Sequence, residues 1–145
     1  RIKNKMVGKK KAQVGIEYMI VVGFVSFAII AIISLAFFYS GQIKDRIRLN
    51  QVESFASQLT NSAESVFFAG EPSKSTIKLY HPDGVDSIEI GTGYILITIQ
   101  VSGGINKRVF ESKVPMQGTI ESSEGLKKLS LEAFNDYINI NQIVS

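Results

Sequence analysis

The chain has no cysteine among its 145 residues and only one histidine. Without cysteine, neither a disulfide nor a thiolate metal site can form, so a domain outside the cell would depend on its hydrophobic core alone. With a single histidine and no thiol, the sequence pattern assigns no nucleophile, base and orienting acid of a covalent hydrolytic site. We therefore expect no enzymatic activity, no metal and no cofactor.

The few polar residues that could bind ligands are placed without a recognisable site pattern. His81 lies beside Pro82 in a predicted turn, where we expect a solvent-exposed side chain. The acidic residues that follow lack the spacing of an EF-hand loop. The doublets Lys107-Arg108 and Lys127-Lys128 are isolated in an acidic part of the chain, which predicts solvated surfaces and no nucleic-acid partner.

Formal charge is absent from residues 18–43, which are mostly apolar. About 20 residues of helix at about 1.5 Å rise suffice to cross a hydrocarbon core of about 30 Å, so this run predicts a transmembrane helix. Residues 1–12 contain cations and no acid, and a positive flank predicts an N-terminus in the cytoplasm and a C-terminal part outside. A secretory signal has its small-residue cleavage site after the apolar run, whereas here Ala12 precedes it.

The residues at this junction read Ala12-Gln13-Val14-Gly15-Ile16-Glu17-Tyr18. They resemble the class III signal peptide of archaeal type IV pilins, in which Gln-x-Ser/Gly-x-Glu-Tyr precedes the hydrophobic stretch. The resemblance covers some 30 residues. It implies cleavage by a prepilin peptidase between Ala12 and Gln13. Glu17 would become the fifth residue of the mature chain, and Gln13, Gly15, Glu17 and Tyr18 would mark assembly.

Glu17 is the one carboxylate next to the apolar run, and two interpretations remain open. A carboxylate within a membrane costs about 2.5–3.5 kcal/mol at the centre and less near the interface. The pilin resemblance implies that Glu17 pairs with the α-amino group of Gln13 on an adjacent subunit. Alternatively, Glu17 extends to the cytoplasmic interface as the flank of an ordinary anchor.

The rest of the chain predicts an α+β protein in which a long N-terminal helix precedes a small antiparallel β-sandwich-like head. We expect a leader at residues 1–12, a helix at 13–69 and a β-rich extracellular head at 70–145. Within the helix, residues 13–40 would be apolar on all faces and 41–69 amphipathic. The sequence Gly70-Glu71-Pro72 predicts the helix end. The stripe facing the head is predicted at Ile43, Ile47, Val52, Phe55, Leu59, Ala63 and Val66.

After Pro72 the apolar period changes to 2 and predicts five to seven short strands, with residues 94–101 central. Together with the resemblance, this plan predicts a type IV pilin-like fold. The chain would be a subunit of a filament on the cell surface, and the filament would serve adhesion. The implied partners are copies of the chain, the peptidase, an assembly ATPase, a membrane platform protein and, before assembly, the membrane. The alternatives are a single-pass anchored surface binding protein and a minor pilin outside the bulk filament.

Overall fold

The computed structural model describes the backbone of residues 2–144 and the side chains of residues 13–144. These residues form the predicted α+β fold, in which one long helix precedes a head of β-strands. Helix α1 spans Ile2–Ala69. The strands are β1 (Lys74–His81), β2 (Val85–Gly91), β3 (Tyr94–Val101), β4 (Gly104–Glu111), β5 (Met116–Thr119), β6 (Gly125–Ala133) and β7 (Ile138–Ile143).

The chain divides into two units between Gly41 and Gln42. The N-terminal unit is helix alone. The C-terminal unit combines the last part of α1 with all the described strands. The helix ends at Ala69, where the Gly70 amide donates to the Phe67 carbonyl at 3.0 Å.

The face of α1 that packs on the head begins later than the sequence predicts. Ile43 and Ile47 are exposed, so the predicted stripe is wrong at these two positions and confirmed from Val52 to Val66. The first turns of the C-terminal unit contact the head through polar side chains instead. The buried residues of this face are Val52, Phe55, Ala56, Leu59, Thr60, Ala63 and Val66.

Two sheets cover this helix face and share one core with it. The first has the order β1-β6-β7-β5 and the second has the order β2-β3-β4. The central position predicted for residues 94–101 is confirmed, because β3 lies between β2 and β4. Ile95, Ile97 and Ile99 are among its fully buried residues.

One pairing differs from the predicted antiparallel arrangement, because β5 pairs with β7 in parallel. The chain crosses from β5 to β6, and β6 then pairs antiparallel with the far side of β7. Gly118 permits the close approach of β5: its φ is +141°, and a Cβ there would overlap the Ile140 carbonyl oxygen. A side chain at this position would therefore conflict with both the backbone conformation and the neighbouring strand.

Polar bonds hold the start of the C-terminal unit's helix to the turns of the head. Arg48 donates to the Asp83 carboxylate and to the Gln100 carbonyl, both at 2.9 Å. The Asp45 carboxylate accepts from the Ser102 amide at 3.0 Å. These bonds tie the helix to the β1–β2 connection and to the β3–β4 hairpin, in the region where Ile43 and Ile47 are exposed.

We expect Leu59→Ala to lower the free energy of unfolding of the head by about 2–5 kcal/mol, since Leu59 is fully buried between helix and sheets. The matched control is Ile47→Ala on the exposed side of the same helix, which should change stability by less than about 0.5 kcal/mol. Pulse proteolysis of the detergent-solubilised chain in urea measures both. Equal losses for the two variants would contradict the packing described for α1.

Candidate functional site: the exposed apolar helix segment

The most unusual surface of the molecule is the apolar part of α1. The large hydrophobic side chains at positions 14–39 are each between 43% and 77% exposed. None of the most apolar 18-residue stretch is buried within the chain. A helix that is apolar on every face requires lipid or other protein around it. The segment is therefore a candidate membrane anchor, since α1 is long and apolar enough to cross a bilayer.

Small residues interrupt this surface and leave room for close packing. A Cβ placed at Gly15 or Gly23 would meet nothing within 4 Å. The Ser34 hydroxyl donates to the Ile30 carbonyl at 2.8 Å, so it is satisfied inside the helix and needs no outside partner. Glycine and serine on an apolar helix let a second helix approach closely.

The predicted processing and assembly residues lie on successive turns at the start of this segment. Gln13 and Glu17 are four residues apart and therefore share one face of α1. Gln13, Gly15, Glu17 and Tyr18 are all exposed, and among residues 13–144 no hydrogen bond or ion pair engages Glu17. Ala12 lies in the helical backbone, and its side chain is outside the described residues. The structure thus brings Gln13 and Glu17 together, with the Glu17 carboxylate directed outward.

In residues 13–144, no three His, Cys, Asp or Glu side chains are grouped so that they could hold a metal ion. Comparison with protein-family models, curated proteins and solved structures finds no match for this chain. The fold and this segment define an α+β protein with a candidate membrane anchor and a β head.

The prediction for His81 is wrong, because its side chain is 0% exposed. It is the last residue of β1 and continues the inward face of Leu79, two residues earlier. Its ring lies edge-on to that of Phe55 on α1, with 5.3 Å between ring centroids. The alternation of Ile77, Leu79 and His81 indicates an inward position for His81, whereas Pro82 and Gly84 favour a turn at the surface.

Lys127 is also buried, contrary to the predicted solvated surface, whereas Lys107, Arg108 and Lys128 are exposed as predicted. It lies on the inward face of β6 and is 5% exposed. Its ammonium donates to the Ser123 hydroxyl at 2.9 Å.

Burial lowers the pKa of His81 below its usual range, and the charge of Lys127 lowers it further. Both ring nitrogens are buried, and neither has a hydrogen-bond partner in the part of the chain that the structure describes. The imidazole is thus held in its neutral form between Phe55 and the sheet. Protonation would place a second cation in a site that already contains Lys127.

This lowered pKa predicts an acid-sensitive head. The unfolded chain takes up a proton on His81 near pH 6.5 whereas the folded chain resists it, so stability is complete above about pH 6.5 and decreases as the pH falls. The loss is at most about 1.4 kcal/mol for each pH unit down to the folded pKa. Urea midpoints at about pH 7.5 and pH 5 measure it.

His81 is the only histidine, so the variant His81→Leu isolates its contribution. We expect this variant to keep nearly the same midpoint at both pH values. A wild-type midpoint that does not change with pH would contradict the neutral buried state.

Proposed function

We propose that the chain is a structural subunit of an archaeal type IV pilus-like filament, processed before Gln13 and polymerised through the apolar part of α1. The observation that carries this proposal is the exposed apolar segment at residues 14–39, which begins within the Gln13-to-Tyr18 junction. A membrane anchor alone would account for the exposed apolar surface. A polymer accounts for that surface and also gives a role to the outward Glu17 carboxylate at its start.

The proposed assembly moves the same surface from lipid to protein. Lipid tails surround an apolar helix nearly as well as other helices do, so packing and polar contacts must supply the preference for the filament. Gly15 and Gly23 allow close packing, and the Glu17 carboxylate can pair with the α-amino group of Gln13 on an adjacent copy. At about 4 Å and an effective dielectric constant of about 20, such a pair contributes about 4 kcal/mol before desolvation is subtracted.

The proposed partners follow from this assembly. A prepilin peptidase would expose the Gln13 amine, and an assembly ATPase with a membrane platform protein would extract the subunit from the membrane. The chain itself has no Gly-rich phosphate-binding loop of the Walker type, which is why the ATPase would be a separate protein. The β head would form the outer surface of the filament and serve adhesion.

Processing is tested by the mass of the N-terminus in the host organism. We expect the membrane and filament fractions to contain a mature species that begins at Gln13, because the small residue Ala12 precedes it. Gln13→Pro serves as the comparison, since proline at the new N-terminus changes the cleaved bond and should leave the leader in place. An intact leader on wild-type protein in both fractions would overturn the proposal.

Assembly is tested with Glu17→Ala, which we expect to be cleaved normally but to reduce filament yield by about tenfold or more, because the amine of the adjacent copy loses its counter-charge. Glu53→Ala is the matched control, because Glu53 is an exposed carboxylate farther along the same helix. Glu17→Asp should restore part of the yield. Filament yield is measured by counting filaments in electron micrographs of sheared surface appendages.

Normal filament yield from Glu17→Ala would show that this carboxylate only flanks an anchor. Correct cleavage without any filament of this chain would favour a minor pilin or an anchored surface binding protein instead.

A further inference from the structure

The three-stranded sheet of the head ends on β4 at one side, and this edge is long and regular. Among the described strands, β4 pairs only with β3, and their register runs without a break from Tyr94↔Glu111 to Val101↔Gly104. Eight residues of strand span about 26 Å. Alternate backbone N–H and C=O groups along this length point away from β3 and are available to another strand.

Burial on the core-facing side of the sheet stops before it reaches β4. The three isoleucines on that side of β3 are fully buried, but their cross-strand neighbours on β4 are only half-buried or, in the case of Arg108, exposed. Residues that pair across strands share one face of the sheet. The pairs concerned are Ile95↔Phe110, Ile97↔Arg108 and Ile99↔Asn106. The sheet is therefore covered at its centre and uncovered at this edge.

A groove of about 480 Å³ lies between this edge and α1. Thr60 lines it and is 7% exposed, and the buried Thr60 hydroxyl has no hydrogen-bond partner among the described residues. A buried hydroxyl without a partner is destabilising. Two other residues that line the groove are hydrogen-bonded to each other, because the Glu64 carboxylate accepts from the Lys113 amide at 3.1 Å. The groove therefore contains one hydrogen bond between helix and head and one buried hydroxyl without a partner.

The two edges of this sheet differ in net charge. Strand β4 carries the exposed cations Lys107 and Arg108 and one exposed acid, Glu111, and is net positive. Strand β2, at the other edge, carries the exposed acids Asp86 and Glu89 and no cation. Strand β5 of the same chain lies close to β2 without pairing with it, and a second groove of about 450 Å³ is lined by residues 86–88 and 120–123. The β2–β3 register is irregular at Val85/Ser87 and regular from Ser87 to Gly91, so the part that carries Glu89 is straight enough to pair.

We infer that the β4 edge of one head pairs with the β2 edge of a second copy, so that the three-stranded sheet continues from subunit to subunit. The complementary charges select this pairing over β4 with β4 or β2 with β2, in which like charges would meet. A contact between two different edges is heterologous and propagates, as a helical polymer requires. Because it joins copies of the chain, this pairing rests on the proposed polymer and adds a contact between heads.

The absence of cysteine makes the contact measurable by engineered disulfides in the full-length chain, expressed in its host. Lys107→Cys or Val109→Cys on β4 is combined with Ser87→Cys or Glu89→Cys on β2. All four positions are exposed and on the same face of the sheet, and the two-residue steps sample the register. After mild oxidation, at least one of the four double variants should give a ladder of trimers and larger species, whereas single variants stop at dimers.

The control for random collision is the double variant Thr76→Cys with Asn141→Cys, two exposed positions on the other sheet that are separated by β6. It should give no ladder. The absence of a ladder from all four edge variants, or an equal ladder from this control, would overturn the edge pairing.

Charge reversal tests the selectivity independently. In the Val109→Cys, Ser87→Cys variant, which leaves all four charges in place, Lys107→Glu with Arg108→Glu should reduce the ladder by about tenfold, since two attractive contacts become repulsive. Asp86→Lys with Glu89→Lys in the same chain should restore it, which also shows that the reversed head still folds. Lys78→Glu with Lys128→Glu makes the same change of charge on the other sheet and should have no effect.

The outcomes separate the edge contact from the filament. A ladder without filaments supports edge pairing and refutes the filament proposal. Filaments that give no ladder and are insensitive to the charge reversal refute the edge pairing and leave the filament proposal standing.

Discussion

Burial of one face of α1 against both sheets is the interaction on which the head depends. Between Val52 and Val66 the helix supplies residues to a core that also takes Ile95, Ile97 and Ile99 from one sheet and Leu129, Leu131, Ile138 and Ile140 from the other. Each sheet has one apolar face that another layer must cover. Because the chain contains no disulfide to compensate, the helix is a structural layer of the head.

The same helix therefore meets two different requirements along its length. Its first part exposes apolar side chains on all faces and requires partners from outside the chain. Its last part has one buried face and one exposed face and obtains its partners within the chain. Between them, Asp45 and Arg48 bond to the head just before Leu49, which is partly buried against the core. In the proposed filament, the first part would exchange lipid for other copies of the chain during extraction from the membrane, whereas the last part would keep the partners that it has within the chain.

Much of this fold follows from patterns that a single sequence contains. The uncharged run at residues 18–43, the Gly70-Glu71-Pro72 stop and the alternation at Ile95, Ile97 and Ile99 each have one physical interpretation, and the structure has the elements they predict. Strands β4 and β5 are different. Strand β4 lies at an edge and keeps Ile105 and Val109 exposed, so it has no alternating apolar face, and β5 has only four residues.

The candidate site was only partly predictable for related reasons. The exposed segment and the outward Glu17 follow from local sequence, since both depend on one helix. The buried position of His81 depends on Phe55, which is distant in sequence. Lys127 bonds only to the nearby Ser123, and its burial follows from its place on the inward face of β6, so the charged doublet alone predicts a surface position. The parallel pairing of β5 with β7 likewise depends on a crossover and on Gly118, and no spacing in the sequence indicates it.

A polymer that relied on the apolar segment alone would have strong but poorly directed contacts, because hydrophobic packing is non-directional. Direction would have to come from polar groups at defined positions. The chain has such groups at both ends of the proposed subunit contact: Glu17 at the start of the helix, and the cations of β4 with the acids of β2 on the head. The ion pair of Glu17 would set the axial position of the helix, and the paired strand edges would set the rotation of the head. The two contacts would thus be complementary. Apolar area would then supply the cohesion of the filament, and these few charges its register.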